Sequence, residues 1–323
     1  SSFTGVITPD GFIGGEEGFC AVMVLSDEDM MVAVSGVEKK TDARLAGQIA
    51  AKNALEELDG ATPDYFYMIA PPGEEEAYLK GVQDVIGRVP FFGGSSADNT
   101  MEGKMKQYAN GKVVENGVVV AFFATGKKFS NVYTGAYRFT GKSGIITKVE
   151  NKRILKEIDG KPALEVFAGW INKPVEELKG ANLLGATIHA PIGIVDVEGD
   201  LTWIRHPLAG QEDLSMAIGN DLVEQTTVCL MEATTDELIQ SVPDAVVTAK
   251  ERLEGEAGVL LITHCGGRAA GIGSRMNEVA EGVKAIAGDI PFIGVLTFGE
   301  FGYEKWSKNG CGGLMLSIFM MEK

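Results

Sequence analysis

Several things are scarce in this sequence, and each scarcity excludes something. There are three histidines, none at metal-ligand spacing from another, so no metal site is expected. The four cysteines, Cys20, Cys229, Cys265 and Cys311, form no CxxC pair, which argues against a structural zinc. Three of them stand in or beside apolar runs, as reduced buried thiols of a cytoplasmic protein do. No run of about 18 apolar residues exists, which excludes a membrane-spanning helix, and no signal peptide is visible. Positive charge is also short: 29 Lys and Arg against 45 Asp and Glu, a net charge of −16. Neither a nucleic-acid backbone nor an anionic membrane is then expected as the main partner. "GGRAAGIG" (266–273) lacks the full GxGxxG spacing and no Walker-A lysine appears, so no nucleotide cofactor is expected.

Glycine, in contrast, is abundant, at 42 of 323 residues, and 45% of the chain is hydrophobic. That length is enough for about two domains with real cores. Two stretches align without a gap: "GVQDVIGRVPFFGG" (81–94) and "GVKAIAGDIPFIGV" (282–295). A shift of 201 carries Gly87 onto Gly288, Pro90 onto Pro291 and Gly93 onto Gly294. Each copy reads as a helix, a glycine C-cap and a strand opened by proline. The flanks also correspond. "YFYMIAPPG" (65–73) precedes the first copy and "VLLITHCGG" (259–267) the second; upstream, "MMVAV" (30–34) is matched to "TTVCL" (226–230). Between them, Ala46, Ala50, Ala54 and Leu58 mark one helix stripe and Val246, Ala249 and Leu253 another. Downstream, "NGVVVAFFA" (116–124) matches "NGCGGLMLSIF" (309–319). The expected fold is therefore α/β, with internally duplicated strand–helix units forming two related mixed sheets. Residues 126–210 make a β-rich middle segment, and the domain boundary is expected near 150.

The ordered set "VPFFGGSSADN", "QYANGKVVENGVVVAFF", "KVENKRILKEIDGKPALEVF", "LTWIRHPL", "THCGGR" and "IPFIGVLTFGEFG" resembles the FIST family. The resemblance runs along the whole chain. It implies a FIST N-like domain over 1–150, with its amino-terminal part missing, and a FIST C-like domain over 151–323. It also implies a sensory role in signalling, with amino-acid-like ligands, and marks Gly299 and Glu300 as a hallmark position. "SSFTGVITPDGF" at the start reads as the interior of a domain, so truncation or processing is expected, and a separate amino-terminal fragment is one expected partner. A signalling protein is the other.

The residues that carry chemistry stand where strands end. In "VPFFGGSSADNT" (89–100), Gly93 and Gly94 let the backbone turn and approach a ligand. Ser95, Ser96 and Asn99 add hydrogen-bonding groups, and Asp98 is matched to an ammonium. The competing reading is a self-satisfied turn. The related "GVLTFGEFG" sets Thr297, Gly299 and Glu300 at the end of the equivalent strand, and ligands of parallel sheets sit beyond strand carboxyl ends. "HCGGR" closes a third strand with Cys265 and Arg268. The Arg268 fork suits a carboxylate, and Arg205 in "WIRHP" is a second candidate. The ordinary fate of either arginine is a structural ion pair. Cys265 as a nucleophile lacks a base, because His264 points to the opposite strand face; an inert buried thiol is the better reading.

These readings converge on a small-ligand-binding sensory module with no cofactor, which takes an amino acid or similar zwitterion in a polar crevice. Backbone amides and Arg268 would receive the carboxylate, and Glu300 and Asp98 the ammonium. Two alternatives stay open. One is a hydrolase using Ser1 as an amino-terminal nucleophile, or Cys265. The other is an interaction scaffold without a ligand.

Overall fold

A computed structural model describes residues 1–15, 18–196 and 201–323. The chain opens with a hairpin, β1 (Gly5–Thr8) and β2 (Gly11–Gly14). The first repeat unit follows: β3 (Met31–Glu38), α1 (Ala43–Glu57), β4 (Tyr65–Ala70), α2 (Glu75–Ile86) and β5 (Phe91–Ser95). A small hairpin, β6 (Gln107–Ala109) and β7 (Lys112–Val114), leads to β8 (Gly117–Ala124). Then come β9 (Phe129–Thr134), β10 (Arg138–Glu150), β11 (Ile154–Ile158), β12 (Lys161–Pro162) and α3 (Ala163–Trp170). Five short strands continue the middle of the chain: β13 (Ile192–Val195), β14 (Thr202–Arg205), β15 (Pro207–Gly210), β16 (Met216–Ile218) and β17 (Thr227–Glu232). The second unit contains α4 (Thr235–Arg252), β18 (Ala257–Cys265), α5 (Gly266–Ile272), α6 (Met276–Ala287) and β19 (Phe292–Thr297). It closes with β20 (Glu300–Gly302), β21 (Gly310–Gly312) and β22 (Leu316–Glu322).

Two six-stranded mixed sheets result, in the orders β21-β20-β5-β4-β8-β3 and β2-β1-β19-β18-β22-β9. In each, one parallel pair (β4 with β5, β18 with β19) is flanked by antiparallel strands. The sheets pack face to face. Alternation along β4 sends Tyr65 and Tyr67 to the inter-sheet core with Phe92, Val259 and Phe319, and sends Phe66 and Met68 outward against α1 and α2. On the second sheet Val259 and Leu261 face inward, and Leu260 and Ile262 pack under α4 and α6. The layers are thus helix, sheet, sheet, helix.

The duplication is present as expected. The shift of 201 carries α2 onto α6 end to end, 75 to 276 and 86 to 287. Both helices stop at a glycine of positive φ, 71° at Gly87 and 62° at Gly288. The stripes Ala46, Ala50, Ala54, Leu58 and Val246, Ala249, Leu253 are buried.

One expected correspondence fails. β17, which holds "TTVCL", is not the counterpart of β3; it lies in a third sheet between β13 and β10. β9 takes the matching place, antiparallel to β22 as β3 is to β8. The segment from β10 to β17 is therefore inserted inside the second unit, between β9 and α4. Its antiparallel strands, ordered β14-β13-β17-β10-β11-β16-β15, curl around α3, whose Leu164 and Phe167 fill a core of their own. The division expected at 150/151 falls in the turn of the β10–β11 hairpin.

The units also exchange edges. The hairpin β1–β2 pairs with β19 of the second unit, while β20–β21, which follow β19 in the chain, pair with β5 of the first. That exchange brings the ends of β5 and β19 together.

Candidate functional site

The parallel strands of both sheets end at one place. Glu300 and Phe301 of β20 stand opposite Gly94 and Gly93 of β5. The Ser95 amide donates to the Gly299 carbonyl at 2.7 Å, and Cys265 and Thr297 are register partners at the ends of β18 and β19. Gly94 is required by this crossing. A Cβ there would lie 2.6 Å from Thr297 Cγ2, 2.9 Å from Thr263 Cγ2 and 2.9 Å from the Gly299 carbonyl. So Gly94, Ser95, Cys265, Thr297, Gly299 and Glu300 are brought together. Gly93 lies against β4, where a Cβ would meet the Met68 carbonyl at 2.0 Å.

Glu300 is the centre of this junction. It is 0% exposed, and among the described residues it has no cation within ion-pair distance. Its Oε1 accepts from Thr297 Oγ1 at 2.7 Å and its Oε2 from the Met315 amide at 2.8 Å. Burial pushes its carboxyl up to about 8, and these hydrogen bonds oppose the shift only in part. Its own carbonyl accepts from the buried Tyr133 hydroxyl at 2.8 Å. Arg205 reaches the neighbouring strand from β14, Nη1 donating to the Cys311 carbonyl at 3.0 Å, and its Nε is buried without a partner among the described residues.

Four predicted residues have other engagements. Arg268, fully buried, donates to the Gly135 carbonyl at 2.6 Å, to the Leu238 carbonyl at 3.2 Å and to Ser241 Oγ. Its Nε is buried without a partner among the described residues. α5 begins at Gly266, immediately after Cys265, and turns Arg268 toward α4. Asp98 accepts through Oδ2 from the amides of Glu102 and Lys104, at 3.1 and 2.8 Å, so it shapes its own loop. Asn99 Oδ1 accepts from the Thr4 amide at 2.7 Å, and Ser96 Oγ from Gln107 Nε2 at 2.6 Å. Asp98 Oδ1 is buried without a partner among the described residues, and Asn99 and Ser96 bond outside the turn, to Thr4 and Gln107.

Of the nucleophile candidates, Cys265 carries no activation, while burial lowers the Ser1 amine below its ordinary value. Burial, then the Glu300 carboxylate, push the Cys265 thiol well above its ordinary range. His264, lowered to about 3 by burial and then by Arg268, has Nδ1 2.9 Å from the Cys265 carbonyl. The Ser1 hydroxyl donates to the Ala97 carbonyl at 2.5 Å and its ammonium to the Lys106 carbonyl at 2.7 Å.

A second buried carboxylate was missed by sequence reasoning. Glu75, 1% exposed, opens α2 and accepts from Ser95 Oγ at 3.1 Å. It meets Arg153 Nη2 at 2.8 Å, and the same nitrogen reaches Glu76 at 2.5 Å while Nε meets Asp221 at 3.1 Å. Asn220 and the Asp221 amide both donate to Glu76 Oε1 at 3.1 Å. Burial, then Glu76, raise the Glu75 carboxyl, and Arg153 opposes them. This network bolts the inserted segment to α2 beside Ser95. Its only sequence signal is the run Glu74–Glu75–Glu76, which reads equally well as ordinary acidic residues at a helix start.

Two surface cavities lie elsewhere. One, of about 520 Å³, is bounded by α4 and the loop after β20; the other, of about 550 Å³, lies beside β3 and the β6–β7 hairpin. None of the predicted residues lines either. Among the described residues no helix is long and apolar enough to cross a membrane, and no group of His, Cys, Asp and Glu is placed to hold a metal ion.

Comparison with known proteins fits this architecture. An uncharacterized protein of Methanocaldococcus jannaschii is 27% identical over 214 residues, covering 62% of this chain and 41% of its own length. The chain thus spans less than half of the curated relative it matches. The FIST N domain matches residues 1–161 and the FIST C domain residues 163–303, a division at the β12–α3 step. With the two matches laid end to end along nearly all of its length, the chain belongs to the FIST family.

Proposed function

We propose that this chain is the sensing part of a cytoplasmic signal-transduction protein and receives an amino acid or similar small zwitterion at the strand-end junction. FIST domains are described as small-ligand sensory domains of signal transduction, and that general role comes with membership. The observation that carries the finer reading is Glu300, a fully buried carboxylate without a cation among the described residues. Unpaired, it keeps its proton up to about pH 8; a ligand ammonium is the partner that would let it ionise. The hydroxyls of Ser95 and Thr297 and the backbone of Gly94 and Gly299 lie around it. Arg205, with its unpartnered Nε, is the group suited to the ligand carboxylate. In this reading the junction opens to admit the ligand, and closure around it is transmitted through the Arg153 bolt to the inserted segment. A signalling protein then reads that change.

The test is a thermal-shift screen of amino acids on the wild type and Glu300→Gln. Ligand at 100 times its Kd stabilises the folded state by about 2.7 kcal/mol. A shift present in the wild type and lost in Glu300→Gln supports the reading. No shift with any amino acid, or an equal shift in both proteins, overturns it.

A further inference from the structure

The cavity between α4 and the loop after β20 has a lining of unusual composition. Asp244, Thr248 and Arg252 stand four residues apart and form one stripe along α4. Facing them are Glu304, Trp306 and Ser307. Arg252 Nη1 meets Glu304 Oε1 at 2.8 Å, which ties the loop to the helix and cancels both charges. Asp244 Oδ1 accepts from Gln240 Nε2 at 2.8 Å, which leaves Oδ2 as an acceptor toward the cavity. Lys305 Nζ lies 5.2 Å from the centre of the Trp306 ring, beside the indole. The walls therefore offer donors and acceptors side by side, and with Arg252 and Glu304 paired they keep one net negative charge, on Asp244.

Trp306 is the second observation. It is 77% exposed, whereas Trp203 is 2% exposed. A tryptophan left in water forfeits a large apolar burial and presents a flat apolar face. A volume of about 520 Å³ is in the range of small-molecule sites. An anion would be repelled by Asp244, and a cation approaching the indole would meet Lys305 already beside it. A neutral ring that carries adjacent hydroxyls matches every group: its C–H face covers the indole, while its hydroxyls donate to Asp244 and accept from Arg252.

We infer that this cavity is a second ligand site and that it takes a neutral polyhydroxylated ring, a mono- or disaccharide. The site is separate from the Glu300 junction and does not depend on the reading given to it.

The experiment is titration of the full chain with a panel of neutral mono- and disaccharides, read by tryptophan fluorescence and by isothermal calorimetry. Saturable binding of at least one sugar is expected. Trp306→Ala and Asp244→Ala should each weaken it about tenfold or more with unchanged far-UV circular dichroism and melting temperature, since both side chains are at the surface. Glu300→Gln should bind the sugar as the wild type does. Three results overturn the inference: no saturable binding by any sugar, undiminished binding in Trp306→Ala, or saturable binding only of amines, carboxylates or nucleosides.

Discussion

Each repeat unit buries a glutamate beside a strand end, and the two are treated in opposite ways. Glu75 of the first unit meets an arginine contributed by the inserted segment. Glu300, which opens β20 just after the end of β19, meets a hydroxyl and an amide and no cation within ion-pair distance among the described residues. The same side chain serves as a fastener in one place and, in the other, as a buried acid that keeps its proton up to about pH 8. Duplication set up two similar strand ends; the insertion between β9 and α4 made them differ, because Arg153 closes over only one of them.

The largest effect is expected from breaking the fastener. Arg153→Ala leaves the buried Glu75, and the half-buried Glu76 beside it, without a cation. Loss of one member of a buried pair costs about 3–5 kcal/mol, measurable as a lower urea midpoint. A loss below about 1 kcal/mol would make the network an ordinary surface ion pair.

Next comes the unpaired partner in the comparison. The folded-state pKa of Glu300, pushed up to about 8, exceeds the ordinary carboxyl value of 4.5. The folded protein therefore holds this proton more tightly than the unfolded chain. The associated stability is complete below about pH 4.5 and is lost as pH rises through 8, at about 1.4 kcal/mol per pH unit within that window. Glu300→Gln should flatten this slope and be the more stable protein at pH 8. Parallel pH–stability curves for the two proteins would show that Glu300 is paired after all.

The smallest effect concerns the seam between the units. Gly94→Ala forces a methyl group against Thr263 and Thr297 of the opposite sheet. Overpacking of this kind costs about 1–3 kcal/mol. An unchanged melting temperature would mean that the strand ends are looser than the contacts indicate.

Much of the fold was legible because helix and strand periods are local. The gapless glycine–proline register located α2, α6, β5 and β19, and the alanine stripe of α1 identified its buried face. Strand pairing is not local. Nothing in "TTVCL" says that it pairs with β10 and β13, since an apolar strand suits either sheet equally, so the insertion went unseen. The strand-end convergence was legible from the repeat, through Gly94, Ser95, Thr297 and Glu300. The ties of Arg268 to α4 were not legible because "HCGGR" looks like a turn, whereas a helix begins at Gly266. Glu75 was invisible because an acidic residue at a helix start is ordinary whether buried or not.

The exchanged hairpins have a consequence for how the chain is made. Val6 of β1 pairs with Val295 of β19, so β1 waits for a partner made 289 residues later. At synthesis rates of about 5–20 residues per second, that is a delay of roughly 15–60 s. Neither sheet can complete its edge until the other unit has emerged. The chain must therefore fold late and as a whole, with Val6 and Ile7 exposed meanwhile, and is expected to need protection by a chaperone during its own translation.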